Sequence, residues 1–204
     1  MIFRTFVLPG IVLPIARTKF ADKYIEELGG TGKFEYKGIL IWHIELVNIF
    51  DSEIGEGTKI ASFVEIGGAK IGSFCKIECG AFIPHGSVIE DKVFVGPNVS
   101  LTNDRYPNLL VDEWKVEPVT IKYGARVGSN SVIVSGVTIG EEAIIGSGSV
   151  VTEDIPARAT AYGNPARIKG YDRVRDKVEK LLDKNKAIAA SDFATELRKI
   201  FDEV

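Results

Sequence analysis

Fifteen aliphatic residues recur along this chain on a six-residue beat, and that beat narrows the possible folds more than any other feature of the sequence. Ile54, Ile60, Ile66, Ile71, Ile77, Ile83, Ile89, Val95 and Leu101 carry it first, and Ile121, Val127, Ile133, Ile139, Ile145 and Val151 resume it. Every step within the two runs is six residues except Ile66 to Ile71, which is five. A second, mostly small beat follows four residues after each aliphatic: Val64, Cys75, Ala81, Ser87, Val93, Val99, then Ala125, Ser131, Val137, Ala143 and Ser149. Glycine often comes directly after the aliphatic, as at Gly55, Gly67, Gly72, Gly96, Gly128, Gly140 and Gly146.

A period of six matches neither the 3.6 of a helix nor the long alternation of an ordinary sheet. It matches a solenoid of short strands joined by tight corners. The aliphatic and the small residue four positions on are separated by an even number, so both face inward on an extended chain. Three hexads close one triangular coil of eighteen residues. Successive coils then stack at strand spacing, roughly 4.8 Å, so that residues one coil apart lie above one another. Corners are expected near the glycines.

The hexads Ile54-Gly-Glu-Gly-Thr-Lys, Ile139-Gly-Glu-Glu-Ala-Ile and Ile145-Gly-Ser-Gly-Ser-Val resemble those of the hexapeptide-repeat acyltransferases. The stretches Ile89-Glu-Asp-Lys-Val-Phe-Val-Gly-Pro-Asn, Thr102-Asn-Asp-Arg-Tyr-Pro and Tyr162-Gly-Asn-Pro-Ala-Arg are similar to those of family members that N-acetylate nucleotide-linked amino sugars. The resemblance spans about residues 54–170. It implies a left-handed parallel β-helix, a homotrimer and acetyl-CoA as co-substrate. The left hand comes from the resemblance alone, because parallel crossovers in general run right-handed. The expected architecture is an all-β solenoid with an N-terminal cap and lead-in over 1–50, a β-helix over 51–170 interrupted by a loop at 102–120, and C-terminal α-helices over 171–204.

Composition excludes several classes. Net charge is −3, with 25 basic and 28 acidic residues, so no electrostatic footprint calls for nucleic acid or an acidic membrane surface. Cys75 and Cys79 are not spaced C-x-x-C and form no disulfide framework. Cys75 lies on the inward beat and reads as core. The apolar stretch from Phe6 to Ala16 is too short to span a bilayer and is broken by Pro9, Gly10 and Pro14, so a cytoplasmic protein is expected.

Outside the repeat, 17–28 reads as a short helix ended by Gly29-Gly30, and 34–50 as extended segments leading into the solenoid. A solenoid needs its end coils covered, which assigns capping to this region. Leu101 to Ile121 spans twenty residues where six would continue the coil, leaving fourteen extra. Loops of that length in a compact domain tend to be functional. This one carries Asn103, Asp104, Arg105, Tyr106, Asp112, Glu113 and Trp114, and its aromatics suggest packing on a neighbouring subunit. After Val151 the beat dissolves; 172–184 and the stretch following Ser191 read as amphipathic helices. Their polar faces mix signs, which fits packing better than membrane binding.

The chain has two histidines, His43 and His85, too few for the three-histidine zinc site of the carbonic anhydrases that share this fold, and no metal is expected. His43 reads as structural. His85 follows Ile83 by two residues, as Asn103 follows Leu101. One coil separates them, and removing the fourteen inserted residues puts Ser135 in the same column, with Gly67 placed below His85. Acetyl transfer needs an unprotonated nucleophile, and histidine is the side chain that exchanges protons near neutrality. His85 is therefore the candidate base, and the resemblance, in which an Asn-Asp pair binds the sugar near this place, makes Asn103 the second catalytic candidate. Gly86 and Gly136 are candidate backbone donors for an oxyanion. The resemblance further implies that Asp104, Arg105 and Tyr106 hold the sugar. It implies that Gly128, Ser129, Gly146 and Ser147 line the CoA groove between subunits, with Arg167 and Lys169 meeting the phosphates. Arginine's planar fork suits that contact. The expected activity is N-acetylation of a nucleotide-linked amino sugar for a surface glycan. O-acetylation of a simple sugar or small hydroxylated acceptor is the enzymatic alternative, and a non-catalytic binding or assembly solenoid is the other.

Overall fold

The computed structural model describes residues 5–8, 11–14, 33–36, 38–107, 115–171 and 195. The expected helices at 17–28, 172–184 and beyond Ser191 lie outside the described residues, apart from a single helical position at Thr195, as do Asp112, Glu113 and Trp114. The chain divides into two compact units, Met1–Lys169 and Gly170–Val204.

Every aliphatic of the beat is buried, from Ile54 to Val151, and so is every residue of the small beat. The inward pattern sorts the coil strands onto three faces, each a sheet. Face A stacks Glu53–Ile54, Lys70–Ile71, Val88–Ile89, Thr120–Ile121 and Thr138–Ile139. Face B stacks Lys59–Ile60, Lys76–Ile77, Phe94–Val95, Arg126–Val127 and Ile144–Ile145. Face C stacks Glu65–Gly67, Phe82–Ile83, Ser100–Leu101, Val132–Ile133 and Val150–Val151. All of these pairings are parallel, and each aliphatic sits over the aliphatic of the coil below, as in Ile77↔Val95 and Leu101↔Ile133.

The parallel ladder begins before the first hexad. Ile39–Trp42 pairs with Lys59–Ile60, and Asn48–Phe50 with Glu65–Gly67. The hairpin of Thr5–Leu8 with Ile11–Pro14 extends face A through Val7↔Glu53. Lys33–Tyr36 extends face B at the same end, antiparallel to Ile39–Trp42. At the far end, Ala159–Gly163 runs parallel to Ile144–Ile145, and Ala166–Tyr171 lies beyond it.

The corners bend at a different place from the glycines that follow the aliphatics. The left-handed residue is the third after most of the aliphatics: Gly57, Phe63, Phe74, Gly80, Gly86, Lys92, Asn98, Gly124, Asn130, Gly136, Glu142 and Gly148 all have positive φ, while after Ile66 it is the second, Gly68. Its amide reaches the coil below, as from Asn98 to the Cys79 carbonyl at 2.8 Å and from Gly148 to the Ser129 carbonyl at 2.8 Å. The glycine directly after the aliphatic serves close stacking instead. A Cβ on Gly128 would lie 2.5 Å from the Ser147 backbone nitrogen, nearer than any side chain tolerates.

Several of the small inward polar residues close hydrogen bonds to corner carbonyls, which makes their burial tolerable, whereas the buried Ser87 hydroxyl finds no partner among the described residues. Thr58 Oγ1 donates to the Gly72 carbonyl at 2.8 Å and accepts from the Cys75 amide at 3.1 Å. Ser131 Oγ donates to the Gly146 carbonyl at 3.1 Å. Burial pushes the Cys75 thiol up from its ordinary pKa, which suits the core role its position implied.

Candidate functional site

Face C delivers the chain into face A at a corner built from His85, Asn103 and Ser135, each two residues beyond a buried aliphatic. The register on which their column depends is explicit: Phe82 pairs with Ser100, and Leu101 with Ile133. The His85 side chain is exposed, and Asn103 is half-buried. Asn103 Nδ2 donates to the His85 backbone carbonyl at 3.0 Å, so the loop's opening residue is tied directly to the histidine.

The residue beneath His85 is Gly68, not Gly67. The five-residue step from Ile66 to Ile71 shortens this coil, and Ile83 pairs with Ile66, which sets Gly68 below His85. Gly67 closes instead on the Phe50 ring, where a Cβ would meet Cζ at 2.4 Å. Gly68 has φ +59, and a Cβ there would lie 2.0 Å from His85 Nδ1. The imidazole therefore occupies the space that glycine leaves open. Gly68→Ala should displace the ring from this position.

The loop leaves and rejoins the coil under tight control. Asp104 Oδ1 accepts from the Tyr106 amide at 2.9 Å, a local turn closed by an aspartate. Arg105 does not point freely outward: Nη2 donates to the Ser135 carbonyl at 2.7 Å, and Nε lies 3.7 Å from Glu117 Oε2. Lys115 Nζ approaches the other oxygen of Glu117 at 3.2 Å. Tyr106 is 81% exposed, the most open of the large hydrophobics at this corner. Glu117 is the element that the sequence reading missed. Its amide donates to the Asn103 carbonyl at 2.8 Å, and its carbonyl accepts from Gly136 at 2.9 Å. Counting back from Ile121 would have found it, because Val119 fills the inward slot two residues earlier and is fully buried.

The two proposed oxyanion donors are already engaged. The Gly86 amide donates to the Gly68 carbonyl at 2.9 Å and the Gly136 amide to that of Glu117. Each holds the corner together and has no second proton to offer.

The four small residues expected along a CoA groove sit elsewhere. Gly128 and Ser129 follow the face B strand Arg126–Val127, and Gly146 and Ser147 follow Ile144–Ile145 directly above it. They form the corner from face B to face C, whereas His85 lies on the corner from face C to face A. A single chain thus carries the two sets on different edges of the solenoid. Gly146 packs under Tyr162, where a Cβ would meet Tyr162 Cβ at 2.7 Å. Arg167 Nη1 reaches the Ala166 carbonyl at 3.1 Å and lies 3.9 Å from Glu153 Oε1, and Lys169 Nζ lies 5.3 Å from the Tyr162 ring centre. Both cations are exposed. His43 begins the short 3-10 turn Ile44–Leu46 with φ 53, and its carbonyl accepts from Leu46 at 2.8 Å. Among the described residues, no group of three or more His, Cys, Asp and Glu side chains converges as a metal site would require.

The described residues form a parallel three-faced solenoid with a histidine at one corner and four small residues at another. Residues 118–153 match the family model described as bacterial transferase hexapeptide (six repeats). A dTDP-3-amino-3,6-dideoxy-alpha-D-galactopyranose 3-N-acetyltransferase of Aneurinibacillus thermoaerophilus is 69% identical over 51 residues, 25% of this chain and 27% of the relative. Against the first curated relatives it matches, the chain spans about a quarter of their length. Among solved structures, a mutant of perosamine N-acetyltransferase from Caulobacter crescentus, in complex with CoA and GDP-perosamine, superposes with a TM-score of 0.52 at 27% identity, over 61% of this chain and 54% of that one. The fold alone is shared with a mutant of AntD, an N-acyltransferase from Bacillus cereus, at a TM-score of 0.60 and 21% identity over 78% of this chain and 95% of that one. The likeness carried by the hexads therefore holds in fold and in family model, and similar proteins include N-acetyltransferases of nucleotide-linked amino sugars.

Proposed function

We propose that this protein transfers the acetyl group of acetyl-CoA to the amine of a nucleotide-linked amino sugar. The observation that carries the reading is the corner column: an exposed histidine stacked beneath the residue that opens the long loop. The relatives and the structures with CoA support the donor and the class of acceptor.

In this reading, the amine nitrogen attacks the thioester carbonyl while His85 takes the amine proton. The tetrahedral adduct collapses with loss of the C–S bond, and the imidazolium returns the proton to the departing CoA thiolate. Asp104, Arg105 and Tyr106 line the acceptor side. Gly128, Ser129, Gly146 and Ser147 line the donor side, with Arg167 and Lys169 near its phosphates. The fold would be the left-handed form, in the cytoplasm.

Because the two sets lie on different corners, a complete site needs two subunits. Face C suits a subunit contact. Its outward strand positions Phe82, Ser100, Val132 and Val150 carry no charge, and Glu65 at the first coil is the single charged one among them. Face B presents Lys59, Lys76 and Arg126 there, and face A presents Glu53 and Lys70. Depletion of charge at its centre marks an interface. A homotrimer fits the three-sided coil, and sedimentation at micromolar concentration should report it; a monomer would count against the shared site.

Titration with CoA tests the donor side. Arg167→Ala should weaken CoA through loss of charge-assisted phosphate bonds, roughly 1.5–3 kcal/mol or about 10- to 100-fold in Kd. Dephosphorylated pantetheine should bind wild type and variant alike. Unchanged CoA affinity in the variant would remove Arg167 from the site, and no CoA binding by the wild type would favour the non-catalytic solenoid.

A further inference from the structure

We infer that Asn103 is a positioning residue for His85: its side-chain amide supplies the corner rung that the inserted loop removes. This rests on the acetyltransferase reading, in which His85 is the base.

The argument starts from what a regular corner does. The left-handed residue donates its amide to the carbonyl of the residue before it in the coil below. Lys92 does so to Ser73 at 2.8 Å, Asn98 to Cys79 at 2.8 Å, Gly124 to Asp91 at 3.0 Å and Asn130 to Pro97 at 2.8 Å. Beneath His85 the bond is kept but shifted by one residue: Gly86 donates to Gly68, itself left-handed at φ +59, because the short step at Ile66 displaces the register. Above His85, the residue due to donate is Asp104, the third after Leu101, but there the chain departs into the loop. The His85 carbonyl receives Asn103 Nδ2 at 3.0 Å in its place. The ladder then continues with one interposed peptide, Glu117, which donates to Asn103 and accepts from Gly136.

That substitution matters because the peptide between His85 and Gly86 is set from both neighbouring coils. Its N–H is fixed below by the Gly68 carbonyl at 2.9 Å, and Asn103 fixes its carbonyl from above. Thr102 and Arg105 brace the coil above, through Thr102 Oγ1 to the Ser135 amide at 2.8 Å and Arg105 to the Ser135 carbonyl. Asn103 joins that braced layer to the His85 carbonyl through its side chain. The position requires a short side chain with an N–H donor. Aspartate has the same shape and, when ionised, only acceptors.

The test compares Asn103→Asp with Asn103→Ala. A carboxylate facing the His85 carbonyl repels it, whereas alanine merely leaves it open to water. At pH 7 Asn103→Asp should therefore have a kcat below that of Asn103→Ala, lower than wild type by about tenfold or more, with KM for acetyl-CoA unchanged. As pH falls toward the carboxyl's own range, the protonated acid regains a donor, so the ratio of Asn103→Asp to wild-type kcat should rise. If both variants change only KM for the sugar, or Asn103→Asp matches wild type at pH 7, Asn103 contacts substrate rather than positioning His85. In the wild-type protein, the Asn103 side-chain amide protons should exchange slowly with solvent by NMR, and free exchange would overturn the rung. That measurement does not depend on turnover. Its success in a protein without transferase activity would fault the enzymatic reading and leave the rung standing.

Discussion

His85→Ala is expected to lower kcat by about 10²–10⁴ at pH 7 while leaving acetyl-CoA affinity unchanged, the range associated with loss of a general base. The amine of an amino sugar is partly protonated near neutrality; the neutral fraction attacks, and the proton it sheds as the C–N bond forms needs an acceptor. His85 is exposed at the corner where the long loop opens, above a glycine that gives its ring room, and its backbone carbonyl is held by Asn103. The candidate CoA residues lie on another edge of the same chain, so removing the imidazole should not touch donor binding in that subunit. Separate measurement of kcat and of the CoA dissociation constant checks both halves. Near-full turnover in the variant would mean that the amine attacks without this base and that substrate positioning is the better account of catalysis.

Ile133→Ala should destabilise the fold by about 2–5 kcal/mol, the usual cost of emptying a buried large aliphatic. Ile133 is fully buried, stacked on Leu101 below and under Val151 above. A solenoid is stabilised by contacts between neighbouring coils, so a cavity at this height weakens two interfaces at once. In a chain of this size the loss corresponds to a melting-temperature drop of roughly 5–15 °C. Lys59→Ala, at an exposed strand position on face B, should stay within about 0.5 kcal/mol of wild type. Calorimetric unfolding of both variants gives the comparison, and equal melting temperatures would contradict the inward assignment of the beat.

The hexads made the core and the column legible, because parallel stacking converts sequence interval directly into height. Ile54 through Val151 point inward as their spacing requires, and His85, Asn103 and Ser135 share one corner. The same arithmetic misplaced Gly67, since the short step at Ile66 shifts the register by one residue. Corner conformation was harder to read. The left-handed slot holds Phe63, Phe74, Lys92 and Glu142 as well as glycine and asparagine, so no turn-forming residue type marks it consistently. Gly86 and Gly136 looked like free donors, yet corner amides are what bind one coil to the next. Glu117 could be reached by counting back from Ile121 through buried Val119, but its role depends on which carbonyl its backbone meets, which spacing does not give. That the candidate donor and acceptor residues lie at different corners follows from counting faces.

The central claim is best tested by incubating the wild-type protein with acetyl-CoA and a panel of UDP-, dTDP- and GDP-linked amino sugars, following CoA thiol release and identifying the product by mass spectrometry. The account predicts thiol release only when an amino sugar is present, with an N-acetylated nucleotide sugar formed in equal amount. Thiol release with sugars that carry hydroxyls but no amine, or none with any member of the panel, would contradict it.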